Sequence, residues 1–175
     1  MINFKDTKDK SLTNKLISLY IESFPYNERR DTNYLLKLAE SSDAMHFTSI
    51  NDDDILCGLL IYWNFKDFYY IEHFAIFPEM RNKKLGERTL SLFKDKFLPC
   101  SILLEAEPPL DEISIRRIRF YEKNGFTVLD KEYIQPPYSE TGISLPLWIL
   151  GITQEPSKTK EYIETIKQHV YRNHY

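Results

Sequence analysis

Four basic side chains surround Gly86 in the stretch RNKKLGER, residues 81–88. This stretch lies between an apolar, strand-like run at 68–77 and a helix-like run at 89–97. A chain that turns out of a strand into a helix presents several backbone N–H groups at one point, with the positive end of the helix dipole behind them. Such a turn could bind the phosphates of a nucleotide.

Mobile positive charge would add to this cradle. Lys83, Lys84 and Arg88 bring ammonium and guanidinium groups close to the turn, which suits a pyrophosphate. The alternative is a solvent-exposed basic turn at the start of an ordinary helix. A second motif is needed to decide between them.

That second motif follows another strand-like run, at 101–107. After two prolines, a helical segment ends in FYEKNGF, residues 120–126. At this point the chain resembles the GNAT superfamily of acyl-CoA-dependent N-acetyltransferases, closely over residues 55–134. In that family Arg/Gln-x-x-Gly-x-Gly/Ala opens a helix and Phe-Tyr-Glu-Lys-x-Gly-Phe closes the next. Here Lys84 stands in place of the first glycine, and the second motif is matched in full.

The resemblance implies a site for acetyl-CoA as acetyl donor. The N–H groups of the turn would bind the pyrophosphate, and the pantetheine arm would lie along the preceding strand. An N–H near Ile76 would then face the developing oxyanion, and Ser114 stands where many relatives carry a pantetheine-binding asparagine. The predicted acyl-CoA-binding residues are Phe74, Ala75, Ile76, Arg81, Asn82, Lys83, Lys84, Leu85, Gly86, Glu87 and Ser114.

Tyr121 is the predicted general acid, since the family uses a tyrosine at this position near the sulfur. A phenol with an ordinary pKa near 10 stays neutral at pH 7, yet it can protonate a thiolate. The alternative is a core tyrosine, since the chain contains twelve.

Glu72 is the leading candidate for the catalytic base, because its strand would hold the thioester. Strict alternation along that strand places Glu72 on one face with Tyr70, Phe74 and Ile76, and His73 on the other. Relatives carry a catalytic glutamate two positions earlier, where this chain has Tyr70. His73 is interpreted as a core residue rather than a base.

Glu105 and Glu107 are the alternatives to Glu72 as base, since they share a face of the next strand and could converge on the same cleft. Three carboxylates on adjacent strands are costly to bury without partners. The competing interpretation is ordinary salt bridges to Arg116, Arg117 or Arg119.

Two loops with rigid prolines, at 24–30 and 135–138, are predicted to form the wall of an acceptor pocket; the alternative for each is a purely structural role. Its acidic character favours a primary amine of a small molecule or peptide, which would attack the thioester directly in a ternary complex. The alternatives are a catalytically silent acyl-CoA-binding module on the same fold, or an unrelated α+β domain. The predicted acceptor-binding residues are Tyr26, Glu28, Tyr70, Glu105, Glu107 and Tyr138.

Hydrophobic periodicity predicts the elements that position these residues. The predicted fold is α+β: a mixed, mostly antiparallel sheet with helices on both faces, in one domain over 1–175. The helical tail at 155–175 either docks on the sheet or pairs with a second subunit in a homodimer. The predicted strands are 1–4, 44–50, 55–64, 68–77, 101–107, 126–134 and 145–150. Helices are predicted to begin near 11, 28 and 89, and a further helix after the two prolines contains 116–124.

Composition excludes several other classes of protein. A net charge of −3 over 175 residues gives no broad basic field, so no nucleic-acid partner is expected. The polar start and the lack of a long apolar run predict neither signal peptide nor membrane span. Two cysteines in apolar contexts predict reduced thiols and a cytoplasmic location, and the four histidines show no metal-ligand spacing.

Overall fold

Seven strands form one sheet in the computed structural model, which describes residues 1–6 and 10–172. Their spatial order is β1-β2-β3-β4-β5-β9-β6, and β7 and β8 form a separate two-stranded ribbon. The strands are β1 (Ile2–Asp6), β2 (Met45–Asp52), β3 (Ile55–Asn64), β4 (Phe68–Ile76), β5 (Ser101–Ala106), β6 (Thr127–Asp130), β7 (Ile134–Gln135), β8 (Leu145–Pro146) and β9 (Trp148–Ile152). Only β4 and β5 pair in parallel; every other described pair is antiparallel.

Helices cover both faces of this sheet. The core on one face includes buried residues of α1, α2 and α5, such as Leu16, Leu35 and Ile163. The core on the other includes Phe93 of α3 and Ile118 of α4. The helices are α1 (Lys10–Ser23), α2 (Thr32–Ser41), α3 (Leu85–Phe97), α4 (Glu112–Lys123) and α5 (Thr159–Ile166). The predicted mixed sheet with helices on both faces is therefore confirmed.

The C-terminal tail docks on the chain's own sheet. A π-helical turn over Lys167–Tyr171 continues α5, and the apolar side of the tail is buried. Burying a Val, Leu or Ile side chain contributes about 1.5–3 kcal/mol, so several such residues hold the tail in place. Among the described helices, none is both long and apolar enough to cross a membrane.

Several element boundaries differ from the prediction, and at two of them a local polar group sets the boundary. α2 begins at Thr32 rather than near 28, since the Asp31 carboxylate accepts hydrogen bonds from two N–H groups of its first turn. The strand expected over 126–134 divides into β6 and β7 after Asp130, whose carboxylate accepts from the Glu132 N–H at 2.7 Å. The strand expected over 145–150 likewise divides at Leu147.

Candidate active site

β4 and β5 separate near the middle of the sheet. The two strands pair only from Phe68–Ile71 on one to Ser101–Leu104 on the other. β4 continues to Ile76 while pairing with β3 alone, so its outer edge over 72–76 has no neighbouring strand. A cleft of about 560 Å³ opens there. A ligand with amide groups could bond this edge as an added strand would.

A bulge at Glu72 changes the direction of the β4 side chains. Ile71 and His73 pair with adjacent residues of β3, which leaves Glu72 as an extra residue without a partner. Glu72 and His73 therefore both lie toward α1 and α2, whereas Phe74 packs in the core beneath α3 and α4. The prediction that Glu72 and Phe74 share a face was wrong, because an added residue interrupts the period of two.

The turn before α3 has the geometry of an anion cradle. Asn82 and Lys84 both have left-handed backbone conformations, with φ of 63° and 57°, and α3 begins directly after Lys84. Among the described residues no acceptor is found for the N–H groups from Asn82 to Glu87. A left-handed conformation costs a residue with a side chain about 1 kcal/mol, which is the reason a glycine suits the position of Lys84.

Gly86 lets this turn pack closely beneath α4. A Cβ atom at Gly86 would lie 3.2 Å from the ring of Phe120. Between the turn and α4 lies a second cavity of about 540 Å³. Phe74, Ile76 and Tyr121 line both this cavity and the cleft, so the two spaces adjoin along these residues, and together we call them the channel.

The charged side chains of the turn differ in what they can offer to a ligand. Arg88 is bound bidentately by Asp52, at 2.7 and 2.8 Å, so the prediction that it adds mobile charge to the cradle was wrong. Glu87 pairs with Lys123, and Arg81 donates from Nε to the Ile76 carbonyl at 3.1 Å. Lys84 forms no ion pair with any residue in the described part of the chain.

Tyr121 lies where the cavity meets the cleft. Its ring packs against Phe120 and Phe126, and burial raises the pKa of its hydroxyl, with Arg117 opposing the rise. Within residues 1–6 and 10–172 no hydrogen bond to this hydroxyl is found. The group is therefore a neutral phenol beside the channel, with its proton uncommitted.

Ser114 has a local structural role instead of facing the channel. It is buried and forms a capping box with Asp111, the residue before α4. Its hydroxyl accepts from two backbone N–H groups and lies 2.9 Å from the Asp111 carboxylate. The structure therefore argues against the predicted pantetheine contact, since the short polar side chain is already used at the helix start.

Glu72 is a fully buried carboxylate with a cation beside it. Its oxygens accept from Arg30 at 2.9 Å and from Trp63 Nε1 at 2.6 Å. Burial raises the pKa of Glu72, but Arg30, His73 and hydrogen bonds from Trp63 and Tyr138 outweigh burial and hold it below its usual value. This placement argues against the prediction of Glu72 as the base, because the carboxylate is enclosed and weakly basic.

Glu105 is also buried, but neutral groups surround it. Its carboxylate accepts from Tyr133 at 2.5 Å, Gln135 at 2.6 Å and Tyr171 at 2.8 Å. Burial raises its pKa, and these hydrogen bonds and one from Tyr70 oppose the rise. Every oxygen of Glu105 is thus occupied from inside the protein, and Tyr70, only 1% exposed, belongs to this network rather than to an open wall.

Glu107 and Glu28 lie at the mouth of the cleft. Glu107 pairs with Arg117 at 2.5 Å, as the salt-bridge interpretation predicted for this residue. The half-buried carboxylate of Glu28 has no hydrogen bond or ion pair in the part of the chain that the structure describes. Burial, then the charge of Glu107, raises the pKa of Glu28, while Arg117 lowers it.

The two predicted acceptor loops do meet. His73 Nε2 donates to the Glu28 carbonyl at 3.0 Å, and the His73 ring lies in a core position, as interpreted. Tyr138 covers Arg30 with its ring centroid 5.0 Å from the guanidinium carbon. Tyr26, by contrast, is 73% exposed and lines a separate surface cavity with Tyr138.

Sequence reasoning missed the residues that hold the two buried carboxylates. Arg30 and Trp63 surround Glu72, and Tyr133, Gln135 and Tyr171 surround Glu105. The only available signal was that two buried strand carboxylates require partners. Among the described residues, no group of three or more His, Cys, Asp or Glu side chains could hold a metal ion.

Comparisons with known proteins agree with this architecture. Residues 13–126 match the family model described as the acetyltransferase (GNAT) family. A GNAT-family protein from Bacteroides thetaiotaomicron superposes with a TM-score of 0.89 at 35% identity, over 98% of each chain. YjbC of Bacillus subtilis (strain 168) is 26% identical over 156 residues, which are 87% of this chain and 77% of that protein. Spermidine N-acetyltransferase from Vibrio cholerae, in complex with CoA and spermine, has a similar fold, with a TM-score of 0.61 at 15% identity over 89% and 96% of the two chains.

Proposed function

Because the chain belongs to the acetyltransferase (GNAT) family, we propose that it moves an acetyl group from acetyl-CoA to a primary amine of a small molecule or peptide. The amine attacks the thioester directly while both substrates are bound. The observation that carries the proposal is this channel of two adjoining spaces. It lies between the N–H groups before and at the start of α3, which have no acceptor among the described residues, and the open edge of β4, with Tyr121 lining both spaces.

The cofactor end of this channel supports binding of acetyl-CoA. The N–H groups from Asn82 to Glu87 bind the pyrophosphate, and the Lys84 ammonium adds positive charge. The edge of β4 over 74–76 bonds the amides of the pantetheine arm. An N–H near Ile76 donates to the oxyanion that forms at the thioester carbonyl.

Tyr121 acts as the general acid in this proposal. The amine nitrogen bonds to the carbonyl carbon, the carbon–sulfur bond breaks, and the departing thiolate takes the phenolic proton. The raised pKa means that the phenol is fully protonated when the thiolate forms.

Glu28 replaces Glu72 as the proposed acceptor of the amine proton. It is the half-buried carboxylate at the cleft mouth whose oxygens remain uncommitted among the described residues, and its raised pKa makes it a better base than Glu72. A protonated amine would be attracted to it, and the carboxylate, directly or through water, would then take one proton.

Tyr121→Phe tests the acid. We expect turnover to fall about 10²–10⁴-fold, with little change in acetyl-CoA affinity, because the ring and its packing are kept. Thiol release with an amine panel measures turnover, and calorimetry measures affinity. Tyr69→Phe is the control, since Tyr69 lines neither cavity; wild-type turnover in Tyr121→Phe would refute the assignment.

Glu28→Gln tests the base. We expect turnover to fall about 10²-fold near neutral pH and less at high pH, where the amine deprotonates unaided. Rates are measured across a pH series beside Glu122→Gln, which removes an exposed carboxylate outside the cleft. A loss of equal size at every pH would contradict the role of Glu28 as base.

A further inference from the structure

A small apolar cavity adjoins the acceptor end of the cleft. Its volume is about 220 Å³, and we call it the apolar alcove. The loop between β5 and α4 contributes part of the wall, and the chain around β8 contributes the rest. Its apolar walls are Pro108, Leu110, Leu145, Pro146 and Leu147, and the polar pair Asp111 and Ser114 lines it as well.

The alcove meets the cleft at a carboxylate. Glu28, Glu107 and Leu147 line both spaces. Since Glu107 is already paired with Arg117, Glu28 is the group left at this junction to attract a cation. An ammonium held at Glu28 would therefore place its nearest substituent beside the alcove.

The walls of the alcove favour an apolar substituent over a charged one. Leu110 is 86% exposed, while Leu147 is only 8% exposed, so the alcove has a buried apolar floor and an open apolar rim. An aliphatic group entering it would remove this rim from water, which is favourable. The Asp111 carboxylate, which also lines the alcove, already accepts from the N–H and the hydroxyl of Ser114, so the wall offered to a substituent is mainly apolar.

Building on the proposed function, we propose that the alcove binds an aliphatic side chain carried next to the acceptor amine. The preferred acceptors are then primary amines with a group of leucine size on the amine-bearing carbon. Glu28 holds the ammonium, and the alcove selects the neighbouring side chain. This specificity lies in residues 108–110 and 145–147, at the acceptor end of the cleft and away from the turn at 81–87.

Leucinamide and glycinamide provide the test, because they differ only in the side chain beside the amine. We expect kcat/KM to be at least about tenfold higher for leucinamide, since even one methylene in an apolar pocket can discriminate this much. Leu145→Ser and Leu110→Ser should each lower this ratio. Leu110 is so exposed that its variant should fold. Ile143→Ser, an exposed change in the same region outside the alcove, should leave the ratio as in the wild type.

Binding of both amides in the presence of CoA, measured by calorimetry, separates the two proposals. Transfer to both amides with a ratio near one would overturn the alcove and leave the acetyl-transfer proposal standing. Suppose instead that leucinamide binds more tightly than glycinamide, that Leu110→Ser abolishes this preference, and that no amine is acetylated. That result would overturn the acetyl-transfer proposal and leave the alcove standing. Neither binding nor transfer would overturn both.

Discussion

The two ends of the channel are built in different ways. The cofactor end consists mainly of the backbone of one continuous stretch, from β4 through the turn at 81–87. The acceptor end consists of side chains from segments far apart in the chain. Arg30 and Glu72 are 42 residues apart, and Glu105 and Tyr171 are 66.

This difference decides which substitutions each end tolerates. Backbone N–H groups are present whatever the side chain, so Lys84 can stand at a glycine position at the cost of local strain. At the acceptor end a side chain is itself the partner of a buried charge. Its removal leaves the charge uncompensated, and a buried uncompensated charge is among the most destabilising changes in a protein.

Arg30→Met should have the largest effect on stability. We expect a loss of about 3–5 kcal/mol in the free energy of unfolding, because Glu72 would remain buried without its cation. Urea denaturation measures it, and Arg88→Met, which breaks the exposed pair with Asp52, is the control with a much smaller expected loss. Equal losses in the two variants would contradict the comparison.

The stability loss caused by Arg30→Met should also depend on pH, which gives a second test of the same pair. The pKa of Glu72 is lowered in the folded protein. The contribution of the Arg30–Glu72 pair to the free energy of unfolding is therefore fully present above the ordinary carboxyl pKa of about 4.3. It is lost as the pH falls through the lowered value. The difference in the free energy of unfolding between wild type and Arg30→Met should therefore become smaller in acid. Adding Glu72→Gln to Arg30→Met should restore part of the lost free energy of unfolding at neutral pH.

Gly86→Pro should have an intermediate effect, confined to the cofactor end. It removes one N–H of the cradle, and a hydrogen bond to a charged group contributes about 1.5–3 kcal/mol. We therefore expect the Kd for CoA to rise about 10–100-fold in a protein that still folds by circular dichroism.

Gly86→Ala is the control for that variant, since it keeps the N–H and requires only a small shift of Phe120. Calorimetry should show a clearly smaller loss for alanine. Unchanged CoA affinity in the proline variant would remove the turn from the binding site.

Exchange of Lys84 should have the smallest effect. Lys84→Gly and Lys84→Ala both remove the ammonium, but only glycine adopts φ of 57° without strain. We expect the glycine variant to be about 1 kcal/mol more stable than the alanine variant, with similar CoA affinities. Thermal and urea unfolding measure this difference in stability. Equal stabilities would contradict the prediction, because they would mean that the turn adopts a different backbone conformation at residue 84 in the alanine variant.

The cofactor end could be predicted from sequence because its parts are local. The strand, the turn and the motif at 120–126 each follow from neighbouring residues. The sheet class and the helices on both faces follow from hydrophobic periodicity. The left-handed conformation of Lys84 is not indicated by the lysine side chain itself, and its signal is the glycine that the family motif carries at this position.

The acceptor end could be predicted only as a set of candidates. One added residue at Glu72 reverses the faces that alternation assigns, and no periodic pattern marks a bulge. The partner of Glu72 lies on the loop before α2, where Arg30 looks like any polar loop residue. Long-range packing therefore decides which carboxylates are hydrogen-bonded within the protein and which are not. For this reason Glu28 replaces Glu72 as the candidate base.

The π-helical turn at Lys167–Tyr171 bears on the synthesis of the protein. The Val170 carbonyl accepts from Arg30 at 2.6 Å, and the Tyr171 hydroxyl donates to Glu105. On the ribosome these residues are made after every other part of the site. Both buried carboxylate clusters can therefore be completed only after the tail has emerged. During translation the acceptor end is therefore the last part of the site that can be completed.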